Sequence, residues 1–242
     1  MKKSGYIILW SVVGAMVIAI GIGLFFAIKE KLTRITAETV DVSDWVTEED
    51  IELNKYYAAS TDSTIDGSDT FFSFNDDNTF ALGSAESSLA QGTYSVENNE
   101  VITTYTDSYS TSSAEYKLMV EGDFLFFESN VCDGDEIPDT DTFEAKVSRV
   151  DSTGYGYQYE FREDGTYTYT YGDADDCTKW TVAEGTYVRN DDNTLTMTLN
   201  DKEVSPVYIS HNHIITSIYK AITEEEYDAA MEEASESTET TE

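Results

Sequence analysis

The chain of 242 residues carries 48 acidic against 14 basic residues, a formal net charge of −34. Such a field repels polyanions and excludes nucleic acid as a partner; the charged partners that fit it are cationic, Ca²⁺ or a basic peptide or protein. Seventeen tyrosines and eleven phenylalanines beside only two prolines exclude a disordered or collagen-like chain.

Residues 6–28 hold no charged side chain. As a helix this stretch is roughly 34 Å long, enough to span a bilayer. Tyr6 and Trp10 fall where interfacial aromatics lie. The apolar core is long, has no small-x-small site behind it and no following cysteine to lipidate, so the pattern predicts an uncleaved single-pass anchor. Lys2 and Lys3 precede the span, and Lys29, Lys31 and Arg34 follow it, a count that by itself favours the large domain inside. Long domains translocate regardless of such counts, and a Lys-poor domain rich in Thr, Ser, Tyr and Asp reads as exported. The expected location is therefore the cell membrane, with the large domain extracellular. Residues 1–37 form the anchor and its flank, and 38–52 a linker in which Thr47 and Asp50 cap a short helix.

The rest contains an internal duplication. Phe74-Asn-Asp-Asp77-Asn78-Thr79-Phe80 matches Phe161-Arg-Glu-Asp164-Gly165-Thr166-Tyr167 at a spacing of 87 residues. At the same spacing Tyr56-x-Ala58 matches Phe143-x-Ala145, and Phe72 matches Tyr159. Gly92-Thr93-Tyr94 then matches Gly185-Thr186-Tyr187 at 93. These matches define a first β-unit over 53–142 and a second over 143–222. Residues 143–149 read both as an ending of the first and as a beginning of the second. Cys132 and Cys177 each lie in a segment peculiar to one copy, which predicts a disulfide stapling the inter-copy loop to the second copy, with two free thiols as the alternative.

Strand periodicity dominates both copies. Tyr155, Tyr157, Tyr159 and Phe161 alternate onto one face. A three-residue turn with Gly165 left-handed sets Phe161 opposite Tyr167 and Tyr159 opposite Tyr169, so that these four and Tyr167, Tyr169 and Tyr171 line one side of a hairpin. In the first copy Phe72, Phe74, Phe80 and Leu82 do the same, with Asn78 in the left-handed place. About seven short strands per copy, ending in hairpins over 116–127 and 204–217 and in Tyr219-Lys-Ala221, predict an all-β ectodomain of two tandem antiparallel meanders or up-and-down barrels.

The run Phe-x-x-Asp-Gly-Thr-Tyr, then Gly-Thr-Tyr, a strand pair and a final aromatic-Lys strand resembles the small lipocalin-like domains of uncharacterised bacterial membrane-anchored surface proteins. The resemblance covers roughly residues 53–222 and implies a fold, not a ligand. Beyond it, Thr223 and Glu226 make a capping box, and Tyr227, Ala230, Met231 and Ala234 form a helical stripe over 223–234. Residues 235–242 are expected as a disordered acidic tail.

Candidate chemistry is sparse. Tyr157, Tyr159, Tyr169 and Tyr171 are the candidate ligand-binding residues, for a small hydrophobic molecule, against the simpler reading that large rings fill a narrow barrel. Asp133, Asp135, Glu136, Asp139 and Asp141 place five carboxylates in nine residues, a candidate Ca²⁺ loop without EF-hand spacing, against a solvated loop. Two histidines in one turn give neither a metal set nor a triad, and no phosphate loop or nucleophile elbow is present, so no catalytic residue and no cofactor is expected. The leading expectation is a non-enzymatic, membrane-anchored binding module with an unidentified protein partner. The alternatives are a carrier or sensor of a small hydrophobic ligand held in a barrel, and a Ca²⁺-stiffened stalk.

Overall fold

The computed structural model describes residues 53–59, 65–97, 100–106, 113–210 and 213–239, with backbone alone for 106, 177 and 235–239. The expected membrane span and the helix of the linker lie outside the described residues. Among those described, no helix is long and apolar enough to cross a membrane.

Among the described residues, sixteen strands form two closed eight-stranded antiparallel barrels. In chain order the first seven are β1 (Tyr56–Ala59), β2 (Thr70–Phe74), β3 (Thr79–Gly83), β4 (Ser88–Glu97), β5 (Glu100–Thr106), β6 (Ser113–Glu121) and β7 (Phe124–Phe127). A 3-10 turn, Glu128–Asn130, leads to β8 (Val131–Gly134), β9 (Ala145–Val150), β10 (Tyr155–Phe161), β11 (Thr166–Asp173) and β12 (Thr181–Arg189). The chain continues through β13 (Thr194–Leu199), β14 (Lys202–Ser210), β15 (His213–Ile215) and β16 (Tyr219–Ile222), and ends in helix α1 (Glu224–Glu239).

The turns explain the repeat. Asp77, Asp164 and Asp192 each accept hydrogen bonds at Oδ1 from the amide and hydroxyl of the threonine two residues on, Thr79, Thr166 and Thr194. Between each pair stands a left-handed residue, Asn78, Gly165 or Asn193, with φ of 62°, 78° and 62°. Such a turn fixes hairpin register, and Phe161 stands opposite Tyr167 and Tyr159 opposite Tyr169, as the alternation predicts. The glycine of Gly-Thr-Tyr has a different cause. A Cβ on Gly185 would lie 1.9 Å from the Thr198 carbonyl oxygen, and one on Gly92 2.0 Å from that of Thr104, so a neighbouring strand crosses too close for any side chain.

The division between barrels differs from the sequence boundaries. β8 follows β7 in the chain but closes the second barrel, between β15 and β9; β16 follows β15 but closes the first, between β7 and β1. Each copy thus gives its last strand to the other barrel. Tyr219-Lys-Ala221 completes the first barrel, not the second, and 143–149 belongs wholly to the second. Each barrel has eight strands where about seven were expected: seven from its own copy and one from the other. The register also shifts one expected match. Tyr57 faces Phe72 as Val147 faces Tyr159, so Tyr57 corresponds to Val147 and the similarity of Tyr56-x-Ala58 to Phe143-x-Ala145 is not structural equivalence.

Each barrel has its own interior. The first encloses Tyr57, Phe72, Phe74, Phe80, Val101, Leu118 and Leu125; the second Cys132, Val147, Phe161, Tyr167, Tyr187, Leu195, Met197 and Ile214. A third cluster lies between them: Met119, Phe124 and Phe126 from the outside of β6 and β7 meet Val131, Tyr208, Ile215 and Ile218. Burying such a side chain contributes about 1.5–3 kcal/mol, so the interface is a core in its own right. The Glu121 carboxylate reaches across it to accept hydrogen bonds from Tyr208 and Ser210.

Helix α1 begins at the expected capping box: the Glu226 carboxylate accepts from the Thr223 amide at 2.8 Å, and the Thr223 hydroxyl from the Glu226 amide at 3.2 Å. Its apolar stripe docks on the outside of the first barrel, with Tyr227 stacked on Tyr56 and Ala230 buried with Ala58 and Phe71. The helix runs to Glu239, through five residues expected as disordered tail, because nothing in Ser-Glu-Ser-Thr-Glu breaks it.

Candidate functional site

The two barrels differ where their registers correspond. In the first, Phe72 pairs with Leu82, and Ala59 with Thr70. In the second the same places hold Tyr159 with Tyr169, and Arg149 with Tyr157. Phe72 is wedged among Phe74, Phe80, Phe127 and Tyr219, with centroids 4.9–6.5 Å away. Among the described residues these rings fill the space around Phe72, as large rings in a narrow barrel are expected to, while a separate cleft of about 340 Å³ opens at the end of this barrel beside Phe74 and Tyr94. The second keeps a cavity of about 210 Å³, lined by Tyr159, Tyr167 and Tyr169 on one side and Met197, Leu199, Val204, Val207 and Thr216 on the other.

The opposite end of this barrel is sealed. Phe143 and Ile137 are buried in its core, and the Tyr187 hydroxyl accepts from the Phe143 amide at 2.9 Å while standing 3.0 Å from the Phe143 carbonyl and 2.9 Å from that of Arg162. Arg189 donates to the Pro138 carbonyl at 2.9 Å and pairs with Asp139 at 3.3 Å. The five-carboxylate segment is therefore the strap over this plug. Asp133 lies 3.5 Å from His213, and Asp135 accepts from the Lys146 amide at 3.0 Å. Glu136 and Asp141 face solvent. Among the described residues, no three potential ligands converge as a metal site.

Of the four tyrosines singled out by sequence, the cavity takes two. Tyr159 and Tyr169 line it with centroids 4.8 Å apart. Tyr157 and Tyr171 stand one rung outward, at the mouth; the Tyr157 hydroxyl donates to Asp151 at 3.2 Å, and Tyr171 stacks on Tyr169 at 5.3 Å. Burial raises the Tyr159 phenol well above its ordinary range and pushes Tyr169 up to about 12, the Arg149 charge opposing it in both. The phenols are neutral at pH 7 and keep their protons as hydrogen-bond donors. Cys132 is a free, fully buried thiol pushed up to about 12 by burial, and hence inert as a nucleophile. Cys132 lies in the barrel core, and the side chain of Cys177, its expected partner, lies outside the described residues.

Arg149 was not singled out by sequence, although the alternation Ala145, Val147, Arg149 already placed it inward. Its guanidinium carbon lies 4.4 Å from the Tyr157 ring centroid, and Nη1 donates to the Ser129 carbonyl at 2.7 Å and to Asn130 Oδ1 at 3.2 Å. The Asn130 carbonyl in turn accepts from the amide of Thr216, a cavity wall, at 3.1 Å.

A larger groove of about 420 Å³ lies between the barrels, walled by Ala58, Phe124, Ile218 and Glu203 and crossed by the Lys220–Asp192 pair at 3.4 Å. Asp192 also accepts from Thr194, so the charges at this crossing already have partners. Comparison of the chain with protein-family models, curated proteins and solved structures finds no match.

Proposed function

We propose that this protein is a non-enzymatic binding module in which the second barrel holds a small amphipathic molecule and the first serves as its scaffold. One observation carries the reading. At corresponding positions the first barrel has Phe72 packed among other rings, with Leu82 and Ala59, while the second has Tyr159 and Tyr169 lining a cavity and Arg149 one rung outward. Polar groups inside a barrel lower its stability unless something satisfies them, so two copies that diverge in this direction differ in task. The apolar run at 6–28 and the exported character of the domain support placement on the outer side of a cell membrane, in keeping with the lipocalin-like resemblance.

Native mass spectrometry of the full chain, extracted from bacterial membranes in mild detergent, tests this. The expected spectrum carries a non-covalent adduct that is lost on denaturation and absent from a Val207→Trp variant, whose indole fills the cavity. A bare mass for the wild-type chain, or an adduct retained by Val207→Trp, refutes the proposal.

A further inference from the structure

We propose that the molecule held by the second barrel is an anion, a compact apolar body ending in a carboxylate, and that Arg149 is the group that selects it. The inference rests on the reading of the second barrel as a binding chamber.

Arg149 stands on the inward face of β9, next along from Val147, which is fully buried. It lies opposite Tyr157, one rung outward from the Tyr159 that lines the cavity. Among the described residues no carboxylate forms an ion pair with it. Its Nε is sealed from solvent with no hydrogen-bond partner. Asp151, the acid nearest in sequence, is occupied by Thr153, Tyr155 and Tyr157. A guanidinium without a counter-ion is unexpected in a chain with 48 acidic residues, where a carboxylate partner was abundantly to hand. Removing a charge from water is unfavourable until an opposite charge meets it. Here Nη1 anchors to Ser129 and Asn130, and the ring of the neutral Tyr157 lies against the guanidinium.

The strong negative charge of the whole chain does not oppose this. Surface carboxylates are screened within about 8 Å at physiological salt, whereas a charge inside the barrel mouth is screened far less. The cavity has room for about seven waters at roughly 30 Å³ each, which sets the body at the size of a short acyl chain or a single ring. Met197, Leu199, Val204 and Val207 suit that body, and the Arg149 guanidinium, one rung outward from the lining residue Tyr159, suits its carboxylate.

The test is calorimetric titration of the full chain in neutral-lipid nanodiscs, with empty nanodiscs as control, using hexanoate, hexanamide and hexylammonium as probes with one body and three charges. Hexanoate is expected to bind about ten- to a hundred-fold more tightly than hexanamide, the usual worth of a hydrogen bond to a charged group. Arg149→Met should weaken hexanoate far more than hexanamide and so bring the two together, and Arg149→Lys should restore part of the preference. If Arg149→Met does not fold, the wild-type ratio and Arg149→Lys decide. Equal binding of hexanoate and hexanamide by the wild-type chain, or preference for hexylammonium, overturns the anion inference and leaves the binding chamber standing; Arg149 is then only a clamp on the inter-barrel turn. Absence of binding by all three probes at millimolar concentration overturns the chamber and the inference together.

Discussion

Removing one hydroxyl from the plug of the second barrel should unfold the protein several degrees earlier, and the first barrel supplies the control. Tyr187 is 3% exposed, and its hydroxyl serves the Phe143 amide and the carbonyls of Phe143 and Arg162. Tyr187→Phe leaves the Phe143 amide buried with no acceptor, and an abandoned buried donor costs about 1–3 kcal/mol. The single phenol proton serves one of the two carbonyls, which loses its donor as well, so the loss is about 2–3 kcal/mol. Tyr94 occupies the corresponding place in the first barrel, where its hydroxyl donates to the Asn75 carbonyl at 3.1 Å in an exposed setting. Water replaces that bond, so Tyr94→Phe should cost about 0.5 kcal/mol or less. At about 2–4 °C per kcal/mol for a domain of this size, Tyr187→Phe should lower Tm by about 4–12 °C and Tyr94→Phe by about 2 °C or less. Differential scanning calorimetry measures both. Equal shifts, or a Tyr187→Phe shift within about 2 °C, would refute the claim that this hydroxyl ties down a buried plug.

Deleting residues 218–242 removes β16 and α1, which opens the first barrel and leaves the second with all eight strands; hydrogen exchange should show protection kept over 145–215 and lost over 56–127. Protection lost in the second barrel instead would mean that the last strands are not exchanged. The pH profile follows from the turn and cap carboxylates. Hydrogen bonds from Thr79, Thr166 and Thr223 hold Asp77, Asp164 and Glu226 below their ordinary range; for Asp192 partial burial opposes the shift, and the Thr194 bonds and Lys220 together outweigh it. A depressed folded pKa gives stability that is complete above the unfolded value, near about 4, and is lost as pH falls through the folded one. Between pH 7 and that range, protonation of other acids relieves the self-repulsion of a chain at −34. Tm measured at constant ionic strength should therefore rise on acidification to about pH 4.5 and fall below about pH 4; a steady decline from pH 7 would show that self-repulsion is not the larger effect.

The parts of the fold legible in sequence are those set by residues near one another. Asn78 and Gly165 announce the left-handed turns, the alternation through Phe161 and Tyr167 gives the hairpin register, and Thr223 with Glu226 gives the helix start. The exchange of β8 and β16 was not legible. Three residues separate β7 from β8 and β15 from β16 alike, so the local pattern is the same whichever barrel receives the strand. The choice is made by distant side chains such as Val131 and Ile218, which join the core between the barrels. The aromatic hairpin was visible as a face, but whether rings fill an interior or border a cavity depends on residues across the barrel. Phe127 and Tyr219 close the space over Phe72, and Leu199 and Val204 leave it open beside Tyr169. Composition shows the carboxylates of the acidic loop but not its anchoring by Ile137 and Phe143, the buried residues it is threaded between.

Methyl labelling of the methionines tests the central claim most directly. Met197 lines the cavity of the second barrel, Met119 lies in the core between the barrels and Met231 packs under the helix. On titration of the labelled full chain with hexanamide, the Met197 methyl resonance should move progressively while those of Met119 and Met231 stay fixed. A stationary Met197 beside a moving Met119 or Met231 would place binding outside the second barrel and contradict the account.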